Sequence, residues 1–205
     1  MTAFALLSVT GKCFSQVTVS GPVCVMAGTT YSYPVTGTYY SSSTMQICAN
    51  GGTIAGTPDS CSGNSVPVAI ASITWNRPGP GKLIITTSSG NASLNVTVIS
   101  PLQAGDILPA TATQSIKYNT NATLIDCSPA TGGNCSPVYT YEWQVSDDNL
   151  LWKPVTGGTG KSIILGSAQK KTVYLRRKVT ENVSGLIAYS GSATIFVDVD
   201  RTGHN

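Results

Sequence analysis

Charge is what this chain has least of. Asp, Glu, Lys and Arg make up 10% of its 205 residues, against roughly 25% in ordinary soluble domains. The net charge of +3 is too small and too dispersed for a nucleic-acid surface, which needs clustered Lys and Arg to displace counterions. Histidine is nearly missing. His204, in the terminal tail, is the only one, so a serine or cysteine nucleophile lacks its usual base and a zinc centre lacks its usual ligands. Glu142 and Glu181 are the only glutamates, and most aspartates fall in turns or tails, which argues against two carboxylates facing across a sugar-cleaving cleft. No segment keeps a helical apolar period, so no Gly-rich phosphate loop can open a helix. The longest apolar run near the start, TAFALLSV at 2–9, is too short to span a membrane. These absences predict no enzyme, no metal, no cofactor, no nucleic-acid partner and no stable transmembrane segment.

What the chain does have is short runs of Val, Ile and Tyr, separated by Ser, Thr, Gly and Pro. That composition favours strands, because β-branched residues suit a pleated surface while Ser and Thr compete for backbone hydrogen bonds in a helix. The clearest stretch is TYEWQVSDDNLLWKPV at 140–155. Tyr141, Trp143 and Val145 alternate with Glu142, Gln144 and Ser146, the pattern of a strand covering a core on one face only. A tight turn at Asp147-Asp148-Asn149 would return the chain into a second strand. A Trp on such a strand, followed by evenly spaced strands and turn signals, points to an immunoglobulin-like sandwich. The expected fold is all-β, with two Ig-like antiparallel β-sandwich domains in tandem. Residues 17–100 form the first, 101–109 a short linker and 110–200 the second. Residues 1–16 remain as a signal-peptide remnant or amino-terminal arm, and 201–205 as a tail.

Cysteines fit an oxidising compartment. Cys48 and Cys61 bracket a Gly- and Thr-rich loop, and Cys127 and Cys135 bracket SPATGGN, spacings that suit disulfides stapling loops. Cys13 and Cys24 could pair if the amino-terminal segment is retained. Cys13 and Ser15 also stand where small residues precede a signal-peptide cleavage, here after Ser15. The alternative is that the apolar segment stays attached and adds a strand to a neighbouring subunit.

Candidate binding groups are few. Tyr39 and Tyr40 sit in a Gly-Thr-Tyr-Tyr-Ser-Ser-Ser stretch and could stack on sugar rings, while Tyr31, Tyr33, Trp75, Trp143 and Tyr174 read as core. In Arg176-Arg177-Lys178, Arg177 shares a face with Leu175 and Val179, and the run reads as a solvated strand edge discouraging unwanted pairing. Asp147-Asp148-Asn149 offers oxygen ligands for calcium, but a turn explains it better.

The opening Ser-Gly-Pro, Ala-Gly-Thr-Thr-Tyr-Ser-Tyr, Asn-Gly-Gly-Thr-Ile, Ser-Ile-Thr-Trp-Asn and Gly-Lys-Leu-Ile-Ile-Thr resemble the PKD-like modules of secreted Bacteroidota proteins. The second half, with TYEWQVSDDNLLWKPV, TVYLRRKVTENVSG and IAYSGSATIFVDV, is similar to the Ig-like repeats found beside them. One departure is Ile47-Cys48, where PKD-like modules usually carry a Trp before the Gly-Gly turn. The resemblance implies a secreted or cell-surface location and a non-catalytic structural or adhesion role, as a filament subunit or adhesin fragment. Its partners would be other copies of itself or cell-surface proteins, with glycans as a further possibility. The alternative function is a carbohydrate-binding module or the accessory region of a secreted enzyme.

Overall fold

The computed structural model describes residues 17–37, 45–54, 61–64, 70–87 and 90–199. The chain divides into two compact units, Met1–Val98 and Ile99–Asn205, and both are all-β sandwiches. Strands of the first unit are β1 (Thr18–Val19), β2 (Cys24–Met26), β3 (Thr30–Thr36), β4 (Met45–Asn50), β5 (Gly52–Ile54), β6 (Cys61–Asn64), β7 (Ile70–Trp75), β8 (Gly79–Thr87) and β9 (Gly90–Ile99). They make one sheet in the order β1-β3-β7-β5 and another in the order β2-β9-β8-β4-β6. Neighbours in each sheet are mostly non-consecutive in sequence, so the chain crosses repeatedly between layers, as in Ig-like sandwiches.

Alternation puts the core between these layers. Ala71, Ile73 and Trp75 of β7 and Leu83 and Ile85 of β8 are buried, and Tyr33, Val35, Ile47, Ala49, Val96 and Val98 complete the cluster. Trp75 lies directly over Gly81, where any Cβ would come within 2.5 Å of the indole. Only glycine leaves room for the ring at that point in β8.

The second unit contains a four-residue helical turn, α1 (Pro109–Ala112), where the sequence suggests no helix; Pro supplies the preset φ of its first turn. Its strands are β10 (Thr113–Lys117), β11 (Tyr139–Ser146), β12 (Lys153–Pro154), β13 (Val173–Glu181), β14 (Ile187–Tyr189) and β15 (Ala193–Asp198). One sheet runs β10-β15-β13-β11-β12, with β14 also on β13, and every pair is antiparallel except β10 with β15, which is parallel.

The facing layer is thinner. Segments 122–127 and 161–166 meet at a single bridge, Ile125 with Ile163, hydrogen-bonded in both directions at 2.8 and 2.9 Å. Beside that bridge a side-chain bond replaces the next rung, the Ser162 hydroxyl donating to Asp126 at 2.5 Å. Of the linker expected at 101–109, residues 101–108 pack here: Gln103 bridges Thr131, Ile107 bridges Cys127, and Ala104 is buried. Trp143 anchors the core with Ile125, Cys127, Leu175 and Ile195, and its indole N–H donates to the Gly160 carbonyl at 3.0 Å.

Three expectations need correction. Asp147-Asp148-Asn149 is no tight turn, because the connection from β11 to β12 runs over 147–152; Asp148 Oδ1 accepts the amides of Leu150 and Leu151 and opens the loop. Tyr174 lies outside the core. It sits on the other face of β13 from Val173 and Leu175, in register with Ser146 and Thr194, and is only half-buried. Finally, β13 is no edge strand: β11 pairs along one side and β14 and β15 along the other, so Arg176-Arg177-Lys178 protects no free edge.

Candidate functional site

The outer face of β11, β13 and β14 carries the groups that sequence reasoning underrated. Strand alternation sends Arg176 and Lys178 outward on β13, Glu142 and Gln144 outward on β11, and Tyr189 outward on β14, opposite Lys178. Trp152 reaches the same face from the loop before β12. The Arg176 guanidinium is held between two rings, its Cζ lying 4.3 Å from the Trp152 centroid and 4.2 Å from that of Tyr189. Both distances are within cation–π range. Arg176 Nε donates to Gln144 Oε1 at 2.9 Å, Gln144 Nε2 donates to Glu142 Oε1 at 2.7 Å, and Lys178 Nζ stands 3.7 Å from the same carboxylate oxygen. A planar cation, two aromatics and a short polar chain are thus fixed on the outer face of the sheet, with Gln144 buried, Arg176 and Trp152 half-buried and Tyr189 exposed.

Behind this face lies Arg177. It is fully buried and has no carboxylate partner among the described residues; Nη1 donates to the Lys161 carbonyl at 2.8 Å, and Nη2 to those of Ala104 at 2.5 Å and Ser128 at 2.6 Å. Its Cζ is 4.6 Å from the Tyr141 ring centroid. The charge is spread over backbone dipoles that belong to the segments 101–108, 127–131 and 161–166. Arg177 thereby ties those segments to β13.

A cleft opens where they meet β14, with a cavity volume of about 470 Å³ lined by Gln103, Asp106, Ser128, Thr131 and Tyr189. Its floor is cross-braced: Ser128 N donates to the Asp106 carbonyl at 2.8 Å, and Asp106 N donates to Ser128 Oγ at 2.8 Å. Gly105, at φ +76°, lies against the Ser128 carbonyl and Arg177 Nη2, leaving no space for a Cβ. Tyr189, 49% exposed, belongs to both the ladder and the cleft. The loop 182–186 sets β14 in place, because the Glu181 carboxylate accepts hydrogen bonds from the amides of Val138, Val183 and Ser184 and from the Ser184 hydroxyl.

The residues singled out from sequence are scattered. Tyr39, Tyr40 and Cys13 lie outside the described residues, as does His204. Cys24, Cys48 and Cys135 are disulfide-bonded, and Cys48 stands in register opposite Cys61 on paired strands. The expected pairing of Cys127 with Cys135 does not form. Cys127 is a free, fully buried thiol, turned inward by its bridge to Ile107 and packed beside Ser190, while Cys135 lies on an exposed bend. Arg176 was visible as part of a basic run. Its aromatic partners were not, since Trp152 and Tyr189 come from distant segments.

Among the described residues, no group of three or more His, Cys, Asp or Glu could hold a metal ion, and no helix is long and apolar enough to cross a membrane.

No curated protein matches the sequence. Among solved structures, a C-terminal 282-residue fragment of intimin, in complex with the intimin-binding domain of its translocated receptor, is similar at 13% identity, with 88% of this chain and 62% of that one covered and a TM-score of 0.43. The N-terminal eight Ig domains of Down syndrome cell adhesion molecule align at 18% identity over 87% of this chain and 26% of theirs, TM-score 0.38. A marsupial T cell receptor aligns at 8% identity, covering 89% and 73%, TM-score 0.42. The chain therefore spans less than two thirds of the first two. Within the second unit, residues 107–199 match the family model of a domain of unknown function, DUF8696.

Proposed function

We propose that this protein is a non-catalytic adhesion or structural protein of the cell exterior, with the outer face of β11, β13 and β14 as its contact surface. The observation that carries this reading is Arg176, half-buried against Trp152 and the exposed Tyr189 on the outer face of the sheet. Trp, Tyr and Arg are the side chains that most often dominate binding energy at protein surfaces, and a guanidinium already clamped by two rings loses little freedom on contact. Disulfide-bonded Cys24, Cys48 and Cys135 support a secreted or surface location, since such bonds persist in oxidising compartments. The PKD-like character of the first unit, a Bacteroidota origin and a role as filament subunit belong to the same proposal. Residues 1–16 then act either as a cleaved signal or as a strand donated to the next copy. The second reading, a carbohydrate-binding module, is favoured by the cleft beside Tyr189.

Beads coated with the whole chain should adhere to immobilised copies of itself or to a panel of bacterial and animal cell surfaces. Arg176→Ala and Trp152→Ala should reduce that adhesion without changing the circular dichroism spectrum. A chain inert on every surface, or a turnover abolished by one point substitution, would overturn the proposal.

A further inference from the structure

The geometry points to the cleft beside Tyr189 as a binding site for a neutral sugar, one or two hexose rings of a surface glycan; this rests on the adhesive reading above. The cavity of about 470 Å³ falls within the roughly 300–1,000 Å³ of ordinary small-molecule sites. Its lining combines the three things a pyranose needs. Hydroxyl donors on the sugar need an acceptor, and Asp106 is exposed, with a carboxylate that makes no hydrogen bond or ion pair among the described residues. Hydroxyl acceptors need a donor. Ser128 Oγ already accepts the Asp106 amide, which leaves its own hydrogen free to point into the cleft, and Gln103 and Thr131 can give or take. The C–H face of the ring needs an aromatic surface, which Tyr189 supplies.

Local charge argues for a neutral ligand. Among the described residues, Asp106 is the only carboxylate lining the cleft, and no Lys, Arg or His lines it. Arg177 commits three N–H groups to the Ala104, Ser128 and Lys161 carbonyls, and its Nε is buried without a partner; the side chain is fully shielded from solvent and offers no exposed donor to an anion in the cleft. A carboxylated or sulfated sugar would meet Asp106 unopposed. Arg177 is here a positioning residue, as it fixes the floor that carries Asp106 and Ser128. Arg176, stacked on Tyr189, steadies the ring. Little reorganisation is left for the ligand to drive.

The test is an NMR titration of the whole, isotopically labelled chain with the methyl glycosides of glucose, galactose, mannose and N-acetylglucosamine, with glucuronic acid as the charged comparator. At least one neutral glycoside should give saturable shifts at Asp106, Ser128 and Tyr189. Asp106→Asn should weaken it about tenfold, the scale of one charge-assisted hydrogen bond, and, independently, Tyr189→Ala should weaken it about tenfold through loss of the stacking ring. Both side chains are solvent-facing, and an unchanged amide spectrum elsewhere verifies folding. Three results would overturn the assignment: no saturable shift with any glycoside, affinity unaltered in both variants, or tighter binding of glucuronic acid. Adhesion that persists without sugar binding removes this inference alone. Sugar binding by a chain that adheres to nothing removes the adhesive reading instead.

Discussion

The indole N–H of Trp75 donates to the Tyr33 hydroxyl at 2.9 Å, and that hydroxyl donates to the Pro22 carbonyl at 3.1 Å. The two rings meet edge to face, with centroids 6.2 Å apart. One phenol thus satisfies a buried donor and pins the chain before β2 to the centre of the first unit. Tyr33→Phe keeps the ring and removes the relay, leaving the indole N–H without its partner; the expected loss is about 1–3 kcal/mol. Urea unfolding followed by tryptophan fluorescence should show a lower midpoint, and an unchanged one would mean that the relay contributes nothing.

Trp143 plays the corresponding part in the second unit, fully buried and anchored to Gly160. Truncation to Ala should cost about 3–5 kcal/mol through lost burial and the cavity left behind. Calorimetry should record a markedly lower transition for that unit, whereas Trp143→Phe should lose less.

Facing along single strands was legible because alternation is local: Trp143 inward, Arg176 and Arg177 on opposite sides of β13. Even the burial of Arg177 had a signal, since its neighbours two residues away, Leu175 and Val179, are apolar. What a lone sequence withholds is partnership across distance. The carbonyls that receive Arg177 come from Ala104, Ser128 and Lys161, and the rings around Arg176 from Trp152 and Tyr189. Cysteine spacing misled for the same reason. Cys127 and Cys135 are close in sequence, but a bridge to Ile107 turns one into the core while the other stays on the surface.

Acid should expose the role of Glu181. The Ser184 hydroxyl, aided by the amides of Val138, Ser184 and Val183 and opposed by burial, holds its carboxyl down at about 2, below the ordinary 4.5. A depressed folded-state pKa adds stability above the ordinary value, which is lost as pH falls from there toward 2. Thermal midpoints measured across that window should fall steeply in the native chain and less steeply in Glu181→Gln. Parallel curves would show that the carboxylate is not coupled to folding.

The Cys127 thiol should be silent until the second unit opens. Burial pushes its pKa up, so it stays protonated near neutrality and is screened from reagents. Iodoacetamide should label Cys127 only in denaturant, as read by peptide mass mapping. Rapid labelling of the native chain would place the thiol at the surface.

The parallel pairing of β10 with β15 has a mechanical consequence. Their register runs from Thr113 with Thr194 to Lys117 with Asp198. A pull on the chain entering β10 and on the chain leaving β15 would drag the two strands lengthwise past each other in opposite directions. The rungs between them would then share the load together, where a hairpin pulled apart from one end yields a rung at a time. Under the adhesive role proposed above, that orientation suits the second unit to holding under tension.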